Sequence, residues 1–350
     1  NSVAVGANAL DANTTGNYNI AMGSGALGAN TTASGNIAIG QAALNANTTG
    51  AYNVGIGIDA LAANTTAGSN VAIGRNVMVA NTTGDATVAI GSLAADANTT
   101  GGDNVAVGFG AFTDNTTGSQ CVAIGRDALA NNTTASHNVA VGRRSMITNT
   151  TGTNNIAMGS DSLYANTSGD NNTGLGVGAL AANTTASNNT AVGLNALLST
   201  VTGYNNTAIG HNAGAAITGH SNTCIGQGAG ESVTSGNTNI LIGHNVENNS
   251  AGAESNIVIG NDVAGAGANT VRFGTPAGTA TLNLDGSDTS WAAASDERLK
   301  KDVADSTVGL DFIKDLRPVT FKWNAKDAIA NTLPKYDASS SDPVYGEGKA

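Results

Sequence analysis

The chain has 350 residues: 14 are basic, 25 acidic and only 13 aromatic (5 Phe, 6 Tyr, 2 Trp). Charged side chains make up 11% of it, against about a quarter of an ordinary soluble domain, while glycine rises to 47 residues. A net charge of −11 with no lysine before Lys300 argues against nucleic-acid binding, and no apolar run approaches the ~18–20 residues of a membrane span. No N-terminal stretch reads as a signal peptide, and two cysteines make neither a disulfide framework nor a zinc site.

From its first residue the chain repeats with a period of 17. An Asn-Val-Ala-Ile-Gly phrase recurs at Asn19, Asn36, Asn53, Asn70, Asn104, Asn138, Asn155, Asn172, Asn189 and Asn206, and Ser2, Thr87 and Cys121 hold the same slot. After the loss of one residue it continues at Asn222, Asn239 and Asn256. Counting places from that Asn, sixteen units are readable, each with glycine at the fifth place, from Gly6 to Gly260.

The phrase is short and β-branched, which predicts a strand of about four residues. Strand alternation groups the second place (Val, Ile or Thr) with the fourth (always aliphatic, from Val5 and Met22 to Ile259), and this pair is expected to face the inside of the coil. The third place, Ala or Gly in the first thirteen units, is then expected to face outward, against two further copies of the chain. An apolar pair such as Ala26-Leu27 or Ala128-Leu129 forms the opposite wall. Asn-Thr-Thr-Gly or Asn-Thr-Thr-Ala follows as a turn whose glycine allows positive φ, and the Asn at a fixed slot predicts a stacked side-chain ladder. One such coil cannot bury its own apolar pair, so the units must stack as a solenoid. At ~4.8 Å per strand, sixteen coils make a rod of roughly 75–80 Å.

These repeats resemble the head of trimeric autotransporter adhesins, whose repeats read much like Asn-Ser-Val-Ala-Ile-Gly; Asn1-Ser2-Val3-Ala4-Val5-Gly6 is close to that phrase. The resemblance covers residues 1 to about 268 and implies a left-handed parallel β-roll with three chains to a trimer. The 17-residue period and the Asn-Thr-Thr turns depart from that head.

From Asn206 the Asn-Thr-Thr turn disappears and Ala-Leu becomes Ala-Gly (Ala213-Gly214, Ala229-Gly230). Residues 269–294 lose the period; there Thr279 to Leu284 alternates before the turn signal Asp285-Gly286 and reads as a short β-neck. Composition then switches at Ser295: residues 1–294 hold 20 charged side chains and the last 56 hold 19, which marks a domain boundary. Beyond it Leu310, Ile313 and Leu316 have helical spacing, Arg317-Pro318 ends the helix, and Val319 to Trp323 reads as a strand.

Ser295, followed by Asp296-Glu297 with Lys300-Lys301 a turn later, reads on its own as a helix N-terminus. The wider phrases Ser-Asp-x-Arg-Leu-Lys-Lys-Asp, from Ser295, and Gly-Leu-x-Phe-Ile-x-x-Leu-Arg-Pro-Val, from Gly309, are similar to the start of the self-cleaving intramolecular chaperone found at the C-terminus of endosialidases and many phage tail fibres. That resemblance covers residues 295 to about 325. It implies that Ser295 is the cleavage serine, Lys300 its partner base, and Asp296 the residue that shapes the scissile bond. Family members run longer, so residues 295–350 are expected to be the N-terminal part of a truncated α+β domain.

The four histidines show no metal spacing, and Cys121 and Cys224 are six coils apart, too far to bridge. No cofactor or metal is expected. The resulting expectation is an all-β homotrimer: a β-roll shaft over 1–268, a neck over 269–294 and a chaperone from 295. It would serve as a phage tail fibre or spike in the virion tail, attaching to a host-surface glycan or protein without inserting into a membrane or turning over a substrate. Its chaperone would trimerise the fibre and be removed by self-cleavage. A bacterial trimeric surface adhesin and the shaft of a glycan-degrading spike are the alternatives.

Overall fold

The computed structural model describes residues 1–284 and the backbone of 292–293. The chain divides into two units, Asn1–Ala294 and Ser295–Ala350; the second, with its expected helix and strand, lies outside the described residues. The described part contains strands and turns and no helix. One short strand per coil runs from β1 (Val3–Val5) and β2 (Ile20–Met22) to β16 (Ile257–Asn261). Each pairs in parallel with the next, Val3 with Ile20 and Ile20 with Ile37, so that residues 17 apart are stacked. The single 16-residue step brings Thr207 against Thr223.

The faces of the strand are the reverse of those expected from the sequence. The third-place residues Ala21, Ala38, Ala72, Ala106 and Ala140 are fully buried inside the coil. The second and fourth places face out: Val5 is 54% exposed and Met22 43%, with Ile39, Ile90 and Ile124 close behind. The reason is the width of the coil. Leu27, Leu44, Leu61 and their successors, on the opposite wall, are fully buried and reach across to the strand. At Gly55, a third-place glycine, an added Cβ would sit 3.3 Å from the Leu44 Cγ. The gap admits a hydrogen or a methyl group and no isoleucine.

The leucines reach that far because their backbone is left-handed: φ is 50° at Leu27, 53° at Leu44 and 54° at Leu61. For an L-residue this costs roughly 1–2 kcal/mol, which burial of the side chain, worth ~1.5–3 kcal/mol, offsets. The expected positive φ of the turn glycines is not found at Gly16, Gly50 or Gly84, which explains why Ala33, Ala67 and Ala135 fill the same slot. Positive φ falls instead on the fifth-place glycines. At Gly6 (φ 130°) a Cβ would lie 2.6 Å from the Gly23 carbonyl oxygen, so no side chain fits.

Two buried asparagine ladders run along the rod, as the fixed Asn slot predicts. At the first place the Asn36 N–H donates to Asn19 Oδ1 (3.0 Å) and the Asn53 N–H to Asn36 Oδ1 (2.9 Å). At the twelfth, Asn30 Nδ2 donates to Asn13 Oδ1 (2.9 Å) and Asn47 Nδ2 to Asn30 Oδ1 (3.1 Å). Each bond contributes about 1 kcal/mol net, and a missing partner would cost more because these groups are sealed from water.

From Asn206 the core is rebuilt. Gly214 and Gly230 replace the wall leucine, Ile217 and Val233 replace the twelfth-place asparagine, and the third place grows to Cys224, Leu241 and Val258, all buried. A Cβ on Gly214 would lie 2.9 Å from Ile217 Cδ1 and 3.0 Å from Leu197 Cδ2, so the isoleucine occupies the space the leucine gave up. The rod ends on β17 (Thr270–Thr275), parallel to β16, then β18 (Gly278–Asn283), antiparallel to β17. The short β19 (Ala292–Ala293) pairs antiparallel with β18. In this register Arg272 stands opposite the buried Val258, and its Nη1 donates to the Ala264 carbonyl oxygen (2.7 Å). A half-buried arginine at the register position of the core column ends it, because another apolar coil cannot stack on a charge.

Candidate functional site

Ser295, Asp296 and Lys300 lie outside the described residues. Within the shaft the groups that could carry chemistry are isolated or inert. Burial pushes the Cys121 thiol up to about 11, and burial followed by the Glu247 charge pushes Cys224 up to about 12, so both stay protonated. Cys121 replaces a first-place asparagine: its N–H donates to Asn104 Oδ1 (2.9 Å) and so continues the ladder, but it offers Asn138 no amide oxygen in turn. His211 and His244 share the sixth place; His244 Nδ1 is 3.2 Å from Asp262 Oδ1. Among the described residues no group of three His, Cys, Asp or Glu side chains could hold a metal ion.

Two carboxylates are held partly out of water. Burial, reinforced by Asp114, raises Asp96 above the ordinary carboxylate range. Glu247 is raised by burial and by the Glu231 charge, against the hydrogen bond that its Oε1 accepts from the Ser232 N–H (2.9 Å); its Oε2 is buried without a partner. Neither belongs to an arrangement of nucleophile and base among the described residues.

The extended feature is the outer strand face. Val3, Val5, Met22, Ile39, Ile90, Ile124, Met158 and Ile209 are exposed and follow one another along the rod. Sixth-place Ile58, Phe109, Val177 and Leu194 widen the stripe, and the Arg126 guanidinium lies 5.8 Å from the Phe109 ring centre. Sequence reasoning put the outward face on the wrong side of this strand. The available signal was the strict smallness of the third place, which a narrow interior demands as readily as a packed exterior. One stretch differs: the second place is threonine in four consecutive coils, Thr173, Thr190, Thr207 and Thr223, between Ile156 and Ile240. On another face, threonine hydroxyls sew the turns together, as where Thr14 Oγ1 donates to the Thr31 carbonyl oxygen (2.9 Å).

Residues 295–336 match the family model described as the chaperone of endosialidase, a family of autocleaving intramolecular chaperones. The match begins on Ser295, the residue at which the charge density changes and the second unit starts. No curated protein and no solved structure matches the chain. A β-solenoid shaft followed by a segment that matches the endosialidase-chaperone model is consistent with a tail fibre or tail spike that carries a C-terminal chaperone.

Proposed function

We propose that the chain is part of a homotrimeric phage tail fibre or spike, carried on the virion tail, that attaches to a host-surface glycan or protein. Its C-terminal segment trimerises the shaft and is then cut away. The observation that carries this reading is the family match starting on Ser295, directly after the solenoid unit. In the cut, Ser295 Oγ would attack a neighbouring backbone carbonyl carbon and pass its proton to a neutral Lys300 amine; the peptide C–N bond then breaks, the leaving amine takes that proton from Lys300, and water hydrolyses the resulting ester. Arg298 and Lys301, near Lys300 in sequence, would favour its neutral form. Asp296 would shape the scissile bond.

The trimer is supported by the outer stripe. An aliphatic row along a rod of roughly 75–80 Å is more than a monomer ordinarily leaves in water. Three parallel copies with the stripe on a common axis cover it along its whole length, whereas a partner of another shape would not follow the repeat. A bacterial surface adhesin would share the shaft but leaves residues 295–336 unexplained.

Mass spectrometry of the purified full chain tests the cut: a fragment ending near Ser295 is expected, Ser295→Ala should give an uncut trimer, and Lys300→Ala should slow or abolish cleavage. Retention of the C-terminal segment by wild type while the shaft is folded would return Ser295 to the role of a helix cap. Sedimentation of Ile90→Glu tests the trimer, which three charges near one axis should prevent from forming.

A further inference from the structure

Resting on the trimer proposed above, we infer that the outward threonines Thr173, Thr190, Thr207 and Thr223 form a register key, a polar block that fixes which coil of one copy lies level with which coil of the next. A repeat rod has an alignment problem. Shifting one chain by a coil exchanges a second-place aliphatic for another almost everywhere and leaves the apolar contact nearly unchanged.

The column of second-place residues is uniform on either side of the block. Val139 pairs with Ile156, then come the four threonines in unbroken register, then Ile240 and Ile257. All four are outward and half-buried. None of their hydroxyls bonds a described residue, unlike Thr200, whose Oγ1 donates to the Ile217 carbonyl oxygen (2.8 Å). Threonine also matches valine in shape, so strand geometry alone does not call for it four times in succession.

A hydroxyl both donates and accepts, so three threonines at one level around an axis can close a ring of three hydrogen bonds. A slip of one coil sets a threonine level against Ile156 at one end of the block and Ile240 at the other, and the mismatch grows with each further coil. The physics is that of a polar residue in an apolar coiled-coil seam, where register is specified at some expense of stability.

The test uses full-length chains in which Cys121→Asn and Cys224→Ala restore the common residue of each slot. A tagged chain with Val107→Cys is co-expressed with an untagged chain carrying Val141→Cys. These fourth-place residues are two coils apart, ~9.6 Å along the axis in register, beyond the ~7 Å reach of a disulfide; a slip brings them together. With Thr173, Thr190, Thr207 and Thr223 intact, the mixed disulfide should stay at background. Replacing all four with valine should raise it at least ten-fold while sedimentation still shows trimers, and serine at the same positions should hold it at background. Background levels in the valine variant would overturn the key and leave alignment to the C-terminal segment. A monomer by sedimentation, with no disulfide when every chain carries Val141→Cys, would overturn the trimer and the key with it.

Discussion

The coils before Asn206 and those after it have the same outline and opposite interiors. In the earlier coils a small strand residue faces a large wall residue, Ala157 against Leu163 for example, and a buried asparagine ladder runs beside them. In the later ones the strand carries Cys224, Leu241 or Val258, the wall has Gly214 and Gly230, and Ile217 and Val233 replace the amide ladder. The solenoid therefore conserves the volume across the coil and leaves its distribution free. The later arrangement removes the left-handed leucine by placing glycine at that backbone position, φ 58° at Gly214 and 67° at Gly230. It gives up the twelfth-place ladder bonds, while the first-place ladder runs on through Asn222, Asn239 and Asn256. The change-over has a visible seam: Thr200 stands where the ladder's next asparagine would be, and Asn183 Oδ1 is buried without a partner.

The largest effect should come from the frame that both regions share. Gly125 has φ 130°, and a Cβ there would lie 2.5 Å from the Gly142 carbonyl oxygen. Gly125→Val should cost more than about 4 kcal/mol per chain and abolish the cooperative melting of the shaft followed by circular dichroism. A normal melt would show that the two regions do not share this backbone.

Next comes the exchange itself. Leu180→Gly should cost on the order of 3–5 kcal/mol by opening a cavity. Adding Asn183→Ile, which copies the Gly214–Ile217 pair, should recover part of the loss, with a coupling of about 1–3 kcal/mol between the two sites. Strict additivity in denaturant melts would mean that the wall and the twelfth place do not trade volume.

Overfilling the earlier interior is the converse. Ala140→Leu, which mimics Leu241 without a matching glycine, should destabilise by roughly 1–3 kcal/mol. Were it silent, the reversal of the strand faces reported above would be in error, since an outward leucine clashes with nothing in a single chain.

A smaller, favourable change is expected at the seam. Thr200→Asn extends the ladder by one rung and gives Asn183 Oδ1 a donor, at the loss of the bond from Thr200 Oγ1 to the Ile217 carbonyl oxygen, for a net gain below about 1 kcal/mol in thermal stability. No gain would place the end of the ladder elsewhere.

The last prediction concerns pH in the later coils. A carboxyl raised by folding, as Glu247 is, favours the folded state below the ordinary carboxylate pKa, and that contribution is lost as pH rises through its folded value. Glu247→Gln should therefore melt with wild type in acid and above it at neutral pH. A gap that opens in acid instead would reverse the assigned direction.

Much of this molecule is legible in one dimension. The period, the strand at Asn-Val-Ala-Ile-Gly, the asparagine ladders and the change at Asn206 follow from residue types at fixed spacing, because stacked coils turn sequence distance into contact. The boundary at Ser295 is equally plain, since charge density changes there and the motif of the matched family begins on that residue. The catalytic assignment of Ser295, Asp296 and Lys300 rests on that motif, because they lie outside the described residues. Two matters were left to the tertiary structure. Alternation in Val105-Ala106-Val107 says that two faces exist and is silent on which is inside; the choice is made by Phe112 and the neighbouring wall residues, which fill the interior and leave room only for a methyl group. The turn glycines and Leu27 likewise reveal nothing of their φ angles in composition. The left-handed positions fall where the chain must bring a large side chain across a narrow coil, and that width exists only once the coils are stacked.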